Sequence, residues 1–502
     1  MSVLSDSAEH QPGPAPVDPA TVRAIIIGIM LAMFLSALEQ TIVAPALPTI
    51  GRSLGDVENL SWVVTAYLLS TTLATTLFGK LSDIYGRRAL MLVSVSVFVV
   101  GSVACALAPT VWALVAARAL QGLGGGGLLP LAQIVIADIL SPRERPQVQS
   151  YSSVMFMTAS ILGPVLGGFL TDYVHWSMIF WINLPLGALA LLMTNRALRR
   201  LPRHERPHRL DVIGAVLMVG AAVALLLALA WGGSAYAWGS PQILGLFGAS
   251  AALWALFAWH LMRAPEPFIP PGMMREPVVG AIVIAGFFAI GTIIGLSIFM
   301  PLYMELVVGA SASASGVVLI AFMGGATIGS LLAGRLLSRL DRYKRVPLAG
   351  LPLAITVLAV FAIWPERFST LEVAVLLAIG GLGMGTMYPT TTVLIQNAVP
   401  PHQVGTATGT LNFFRQLGGA LVVAVFGAIV LGGLDTHAGG ALMLKRLALA
   451  GGTAGDFAVL FRWVFAAAAG FLAAAAVAVL CTAERPLRGP AVRSRSAPAA
   501  AE

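Results

Sequence analysis

Apolar residues along the chain gather into long runs separated by short polar segments, starting near residue 24 and ending near residue 481. A helix needs roughly 17–25 apolar residues to cross the hydrocarbon layer of a bilayer. Fourteen runs reach that length: 24–47, 60–79, 89–108, 112–137, 150–171, 177–196, 211–231, 242–262, 277–305, 313–336, 346–364, 371–396, 406–432 and 457–481. The pattern predicts an all-α membrane protein with fourteen transmembrane helices. The first 22 residues are polar, hold Asp6, Glu9 and Asp18, and lack the basic start of a cleavable leader. The first run is therefore expected to stay in place as helix one.

An even number of spans puts both termini on one side, and charge says which. With the amino terminus taken as cytoplasmic, 23 of the 30 Lys and Arg lie in inside loops and termini. Five lie outside (Arg52, Arg367, Lys445, Arg446 and Arg462), and two, Arg118 and Arg415, fall within spans. Short cytoplasmic loops carry such an excess of Lys and Arg. A missed or invented span would reverse every later loop and destroy the split. The expectation is a multi-pass protein of a bacterial-type inner (plasma) membrane with both termini cytoplasmic.

Landmarks recur along the chain. Gly79-Lys80-Leu81 opens a basic loop ending at Arg87-Arg88, and Gly334-Arg335-Leu336 opens another, 255 residues later, ending at Lys344-Arg345. The pattern G-L-G-x-G-x-x-x-P runs from Gly122 to Pro130 and again from Gly381 to Pro389. Gln147-Val148 is matched by Gln403-Val404. Shared order and spacing predict two six-helix bundles, residues 24–196 and 277–481, as parallel repeats with two helices, 211–262, inserted between them. Parallel halves of this kind place a transport site at their interface. Flanking these are an N-terminal tail (1–23), a basic connector (197–210), an outer loop (433–456) with a short interfacial helix over Leu442–Leu449, and a disordered tail (482–502).

Composition agrees with the pattern. The chain is 58% hydrophobic and 10% charged, with a mean hydropathy of +0.88, whereas soluble domains carry about 25% charged residues. The formal net charge of +8 raises nucleic-acid binding, but the basic residues sit in short loops between apolar runs, so no nucleic-acid partner is expected. Cys105 and Cys481 lie far apart in apolar runs and form no metal or redox spacing. The seven His are scattered, and no nucleophile–base pairing is evident, so an enzyme is not expected.

Ionisable residues inside hydrocarbon are functional candidates by default. Glu39 lies deep in the first span and Glu305 in the outer part of the ninth; Arg118 and Arg415 are the embedded cations. Glu39 is the foremost proton carrier, since burial favours its neutral form and water or a nearby cation favours the charged one. A purely structural ion pair is the competing role. Arg118 acts through its field, as guanidinium does not deprotonate, or as an interhelical clamp. Arg415, placed early in the run 406–432, has snorkelling to the cytoplasmic surface as its rival role. Glycines four apart at Gly122–Gly127, and Gly163-Pro164 with Gly167-Gly168, suit close helix approach, with Pro164 also able to bend its helix.

These residues resemble the major facilitator superfamily and, within it, the fourteen-span drug:proton antiporters, over nearly the whole chain. GKLSDIYGRR (79–88) is similar to the signature loop between helices two and three. That resemblance implies a charge-linked latch of Asp83 with Arg87 and Arg88 against the other half, with Gly79 and Gly86 shaping the loop. ARALQGLGGG (117–126) resembles the motif that puts Arg118 in the proton pathway, and ILGPVLGGFL (161–170) the antiporter signature. LEQTIVAPALP (38–48), SWVVTAYLL (61–69) and LNFFRQLGGALVVAV (411–425) look like the same branch. Two departures stand out: the family usually has Asp where this chain has Glu39, and Gln near Glu305. The resemblance implies a monomeric proton-coupled antiporter without cofactor, driven by the proton gradient, that exports small amphipathic or cationic compounds. A dedicated exporter of a lipid, siderophore or endogenous antibiotic, or an uptake symporter, are the alternatives.

Overall fold

The computed structural model describes residues 19–56, 59–199, 211–233, 235–340, 343–432 and 454–483. The outer loop with Leu442–Leu449, most of the basic connector and nearly all of both tails lie outside the described residues. Within them the chain is helical, apart from an isolated bridge between Gly232 and Tyr236. Fourteen helices among the described residues are long and apolar enough to cross a membrane. They are α1 (Val22–Leu54), α2 (Leu60–Tyr85), α3 (Arg87–Ala106), α4 (Val111–Ile139), α5 (Arg145–Tyr173), α6 (Met178–Arg196) and α7 (Val212–Trp231). Then follow α8 (Pro241–Leu261), α9 (Pro277–Leu306), α10 (Ser313–Arg339), α11 (Arg345–Ile363), α12 (Thr370–Ala398), α13 (Pro401–Val430) and α14 (Phe457–Cys481).

Several boundaries extend beyond the apolar pattern, the second span to Tyr85 and the fifth back to Arg145 among them, and two show their cause in the backbone. The first span continues past 47: Pro45 and Pro48 lack backbone donors, so the helix breaks into a 3₁₀ turn at Ala44–Ala46 and resumes as Leu47–Leu54. It stops at Gly55, whose φ of 73° is left-handed. The thirteenth span starts at 401 rather than 406, because a 3₁₀ turn over Pro401–Gln403 leads directly into Val404. Elsewhere the ends follow cap chemistry. The side chains of Thr110, Ser240, Ser311 and Ser369 each accept a first-turn N–H, and Ser369 with Glu372 completes a capping box.

Packing repeats as the sequence does. In the first half α4 packs on α2 and α3, while α1 packs on α5 and α6, and α3 on α6. In the second, α12 packs on α10 and α11, α9 on α13 and α14, and α11 on α14. The two six-helix bundles are thus the same arrangement twice. They meet along α2–α13 and α5–α10, pairs related by that same repeat. The inserted α7 and α8 pack on each other, joined by Ser250 Oγ donating to Ala221 O at 2.9 Å, and α7 touches both α2 and α13.

The glycine run positions α4. A Cβ on Gly122 would stand 2.6 Å from the Tyr67 carbonyl of α2, and one on Gly124 2.6 Å from Phe98 Cα of α3. The backbones therefore approach to contact, which small residues permit where lipid supplies no hydrophobic drive. Large apolar side chains such as Val165, Phe169, Val216, Leu256 and Val477 remain exposed, as spans solvated by lipid allow.

Candidate functional site

Glu39 on α1 is fully buried and Arg118 on α4 is 2% exposed. Arg118 Nη1 donates to Glu39 Oε1, and Asn183 Nδ2 of α6 donates to Glu39 Oε2 at 2.6 Å. Arg118 also donates to Gln121 Oε1 (2.6 Å) and to the Val63 carbonyl of α2 (3.2 Å), and its guanidinium lies 4.1 Å from the Tyr67 ring centre. Gln121 and Asn183 both donate to Ser102 Oγ of α3, at 2.8 and 3.3 Å. Arg118 and Gln121 share a face of α4 by their three-residue spacing, and Gly122 beside them lets Tyr67 close over the pair. Five helices of the first half thus converge on one carboxyl. The buried charges cancel while Glu39 is ionised, and the Oδ1 of Asn183, buried without a partner, leaves an acceptor beside the acid.

The other sequence candidates divide. Arg415 does not snorkel. It is 3% exposed, bound to Asn412 Oδ1, Tyr388 O, Thr391 Oγ1 and Thr392 Oγ1 at 2.5–3.1 Å. The earlier start of α13 puts it at mid-helix, beyond a side chain's reach of either end. Glu305 is exposed at the far end of α9 and is not brought to the Glu39 pair.

At the end of the bundle that carries the basic loops, Asp83 holds the halves together. Its carboxylate accepts the N–H groups of Gly405 (3.1 Å) and Thr406 (2.8 Å) and the Thr406 hydroxyl (2.9 Å), all on α13. Arg87 Nη1 pairs with Asp83 at 2.6 Å and its Nε with Asp138 at 3.0 Å. A Cβ on Gly79 would stand 2.6 Å from the Gly405 carbonyl. Gly86 sits at φ 86°, a conformation side chains resist, and separates α2 from α3. Among the described residues, the charged part of the latch implied by the resemblance thus reaches the other half through Asp83: Arg87 braces it, while Arg88 turns to Asn195 of α6 at 2.6 Å, within its own half.

In α5, Gly163 and Gly167 face α1, where a Cβ would overlap Thr41 and the Ile42 carbonyl; Thr41 Oγ1 donates to Ala159 O at 2.9 Å across this seam. Gly168 has nothing within 4 Å of its Cβ position and Pro164 is exposed, so neither belongs to the seam.

Sequence reasoning missed a polar bridge between the halves. Gln133 of α4 donates to Tyr388 OH at 3.0 Å and accepts from Asn412 Nδ2 at 2.6 Å, and its carbonyl accepts from Gln396 at 3.2 Å. Ser153 of α5 donates to Ser330 of α10 at 2.8 Å. Amides isolated inside apolar runs were the available signal. Among the described residues, the hydrogen bonds joining the halves all lie in the half of the bundle nearer the basic loops. Also missed was Asp211, just before α7. Burial works against its charge, yet the Gly214 N–H (2.8 Å), His260 Nε2 (2.8 Å) and the Phe268 N–H (3.0 Å) outweigh that and hold its carboxyl below the ordinary carboxylate range.

Residues 29–423 match the profile of the Major Facilitator Superfamily. An uncharacterized MFS-type transporter of Mycobacterium tuberculosis is 36% identical over 426 residues, covering 85% of this chain but 62% of that protein, so the chain spans less than two thirds of its relative's length. The multidrug transporter protein MdtP of Bacillus subtilis is 34% identical over 406 residues, covering 81% of this chain and 75% of that one. Among solved structures, a bacterial homologue of iron transporter ferroportin in outward-facing state superposes with a TM-score of 0.62 at 13% identity, covering 93% of this chain and all of that one, a likeness of fold alone. A twice-repeated six-helix bundle, an inter-half latch and this match over most of its length make the chain a member of the Major Facilitator Superfamily.

Proposed function

We propose that this protein exports small amphipathic compounds from the cytoplasm in exchange for protons, by alternating access between its two halves, as a monomer in the inner membrane. The observation that carries the reading is a fully buried carboxyl, Glu39, neutralised by Arg118 inside a bundle that, among the described residues, is clamped at one end. The charge asymmetry of the loops supports placing the clamped end, and both termini, in the cytoplasm. When a path from outside opens to Glu39, it takes up a proton and thereby frees Arg118 from its counter-charge; Asn183 offers an acceptor for the new O–H. Rearrangement toward the cytoplasm releases the proton and restores the pair as cargo binds, and the return to the outside lets cargo leave as the next proton arrives. Relatives named as multidrug transporter and multidrug resistance protein of Bacillus subtilis support an export role.

A charge moved through 100 mV gains about 2.3 kcal/mol. A neutral cargo exchanged for one proton can draw on that potential, while a monovalent cation exchanged one for one moves no net charge. For such a cargo Glu305 is reserved as the seat of a second proton, and an unchanged proton-to-cargo ratio in Glu305→Gln vesicles would reject that role.

The test of the whole reading is uptake of the amphipathic dye Hoechst 33342 into energised everted vesicles. Accumulation should collapse when the uncoupler CCCP dissipates both the pH gradient and the membrane potential. Accumulation that persists without any proton gradient sinks the proposal.

A further inference from the structure

The Glu39–Arg118 pair leaves one embedded charge unbalanced. Arg415 stands fourteen residues from Pro401 and fifteen from Val430 along α13. Every acceptor its guanidinium finds is neutral: the Asn412 amide oxygen at 3.1 Å, the Tyr388 carbonyl at 3.0 Å, and the hydroxyls of Thr391 and Thr392 at 2.5 and 2.9 Å. Its Cζ lies 4.7 Å from the Tyr388 ring centre. Nε is buried and has no partner; it faces α9 at Gly286, where a Cβ would stand 3.6 Å away. Among the described residues no carboxylate comes within ion-pair distance of Arg415. Arg118, by contrast, is matched by an acid.

Neutral acceptors hold a guanidinium in place but leave its net charge. Guanidinium keeps its proton, and in a low-dielectric interior an unmatched charge acts strongly on whatever enters nearby. The second half therefore presents a standing positive potential, held at mid-helix, with donor capacity left over on Nε.

We propose that Arg415, oriented by Thr391, Thr392 and Asn412, determines which cargo this protein accepts: amphiphiles bearing an acidic group, carboxylate or sulfonate, in preference to cations. The inference rests on the antiport reading and narrows its substrate class. It also fits the energetics of exchange. One proton entering for one anion leaving carries two positive charges inward, so the membrane potential acts twice and no second proton is needed. A monovalent cation would gain nothing from it.

Equilibrium binding to the purified full chain tests this without any gradient. Two dyes of one xanthene skeleton, anionic carboxyfluorescein and cationic rhodamine 123, are titrated by fluorescence anisotropy at low salt. Carboxyfluorescein should bind about tenfold tighter. Arg415→Gln should bring the two within about twofold, and Arg415→Lys should keep most of the preference. Rhodamine 123 binding as tightly as carboxyfluorescein to the unaltered protein overturns the proposal, a result that stands even where Arg415→Gln fails to fold. An unchanged ratio in folded Arg415→Gln overturns it too. Proton flux measured in proteoliposomes separates the two readings: absence of exchange with either dye removes antiport, while the binding ratio still judges Arg415.

Discussion

Glu39 and Arg118 are two charges that the interior tolerates only together. Removing one partner of a buried pair leaves an uncompensated charge at a cost of about 3–5 kcal/mol, while removing both is close to neutral. Arg118→Gln should therefore lower the melting temperature of the detergent-solubilised protein markedly, and the double variant Glu39→Gln/Arg118→Gln should recover most of it while remaining inactive. A double variant less stable than Arg118→Gln would show that the pair is not coupled. These two residues were legible in the sequence because a charge inside an apolar run has no ordinary explanation. Asn183, Gln121 and Ser102 were not, since amides and hydroxyls are common in spans and their convergence depends on how five helices pack. Arg415 was legible as an embedded charge, but its rival role, snorkelling, arose for a local reason: the turn Pro401–Gln403 is helical though polar, so hydropathy began the span too late and put the guanidinium early in it.

Helices in this protein are placed by what their small residues allow. The sequence presents Gly163, Gly167 and Gly168 as one motif, yet the first two lie against α1 and the third faces open space. Gly163→Leu should abolish transport or expression, whereas Gly168→Ala should leave both near wild type; equal damage from the two would contradict the α1–α5 seam. Span existence and repeat were readable because fourteen apolar runs and their basic loops recur in order. Which glycine faces which helix was not, because periodicity gives a face but not its neighbour. At the start of α7, Asp211 accepts bonds from Gly214, His260 and Phe268. Its carboxyl is held below the unfolded value of about 3.9, so its contribution is complete above that value and lost only as pH falls through the lower, folded one. The melting-temperature advantage of the wild type over Asp211→Asn should persist down to about pH 5 and vanish on further acidification. A decline already at neutral pH would contradict this.

The whole molecule is two like bundles clasped at one end, and its function depends on letting go of that clasp. Asp83 carries three bonds to α13 and one to Arg87. Asp83→Asn removes the charge that aligns them and should raise the population open at the basic end. Spin labels on the basic-end ends of α2 and α13 would report it as longer distances; unchanged distances would mean that the clasp is held elsewhere, at Gln133 or Ser153. Such a shift needs only about 1.4 kcal/mol for each tenfold change in population.

Exchange driven by protons requires that Glu39 change its protonation once per cycle, and a Gln in its place separates movement of cargo from movement of protons. In proteoliposomes, Glu39→Gln should still swap labelled for unlabelled cargo across the membrane at near wild-type rate, and should show no acceleration when a pH gradient is imposed. A variant that still accumulates cargo in response to that gradient would contradict the account.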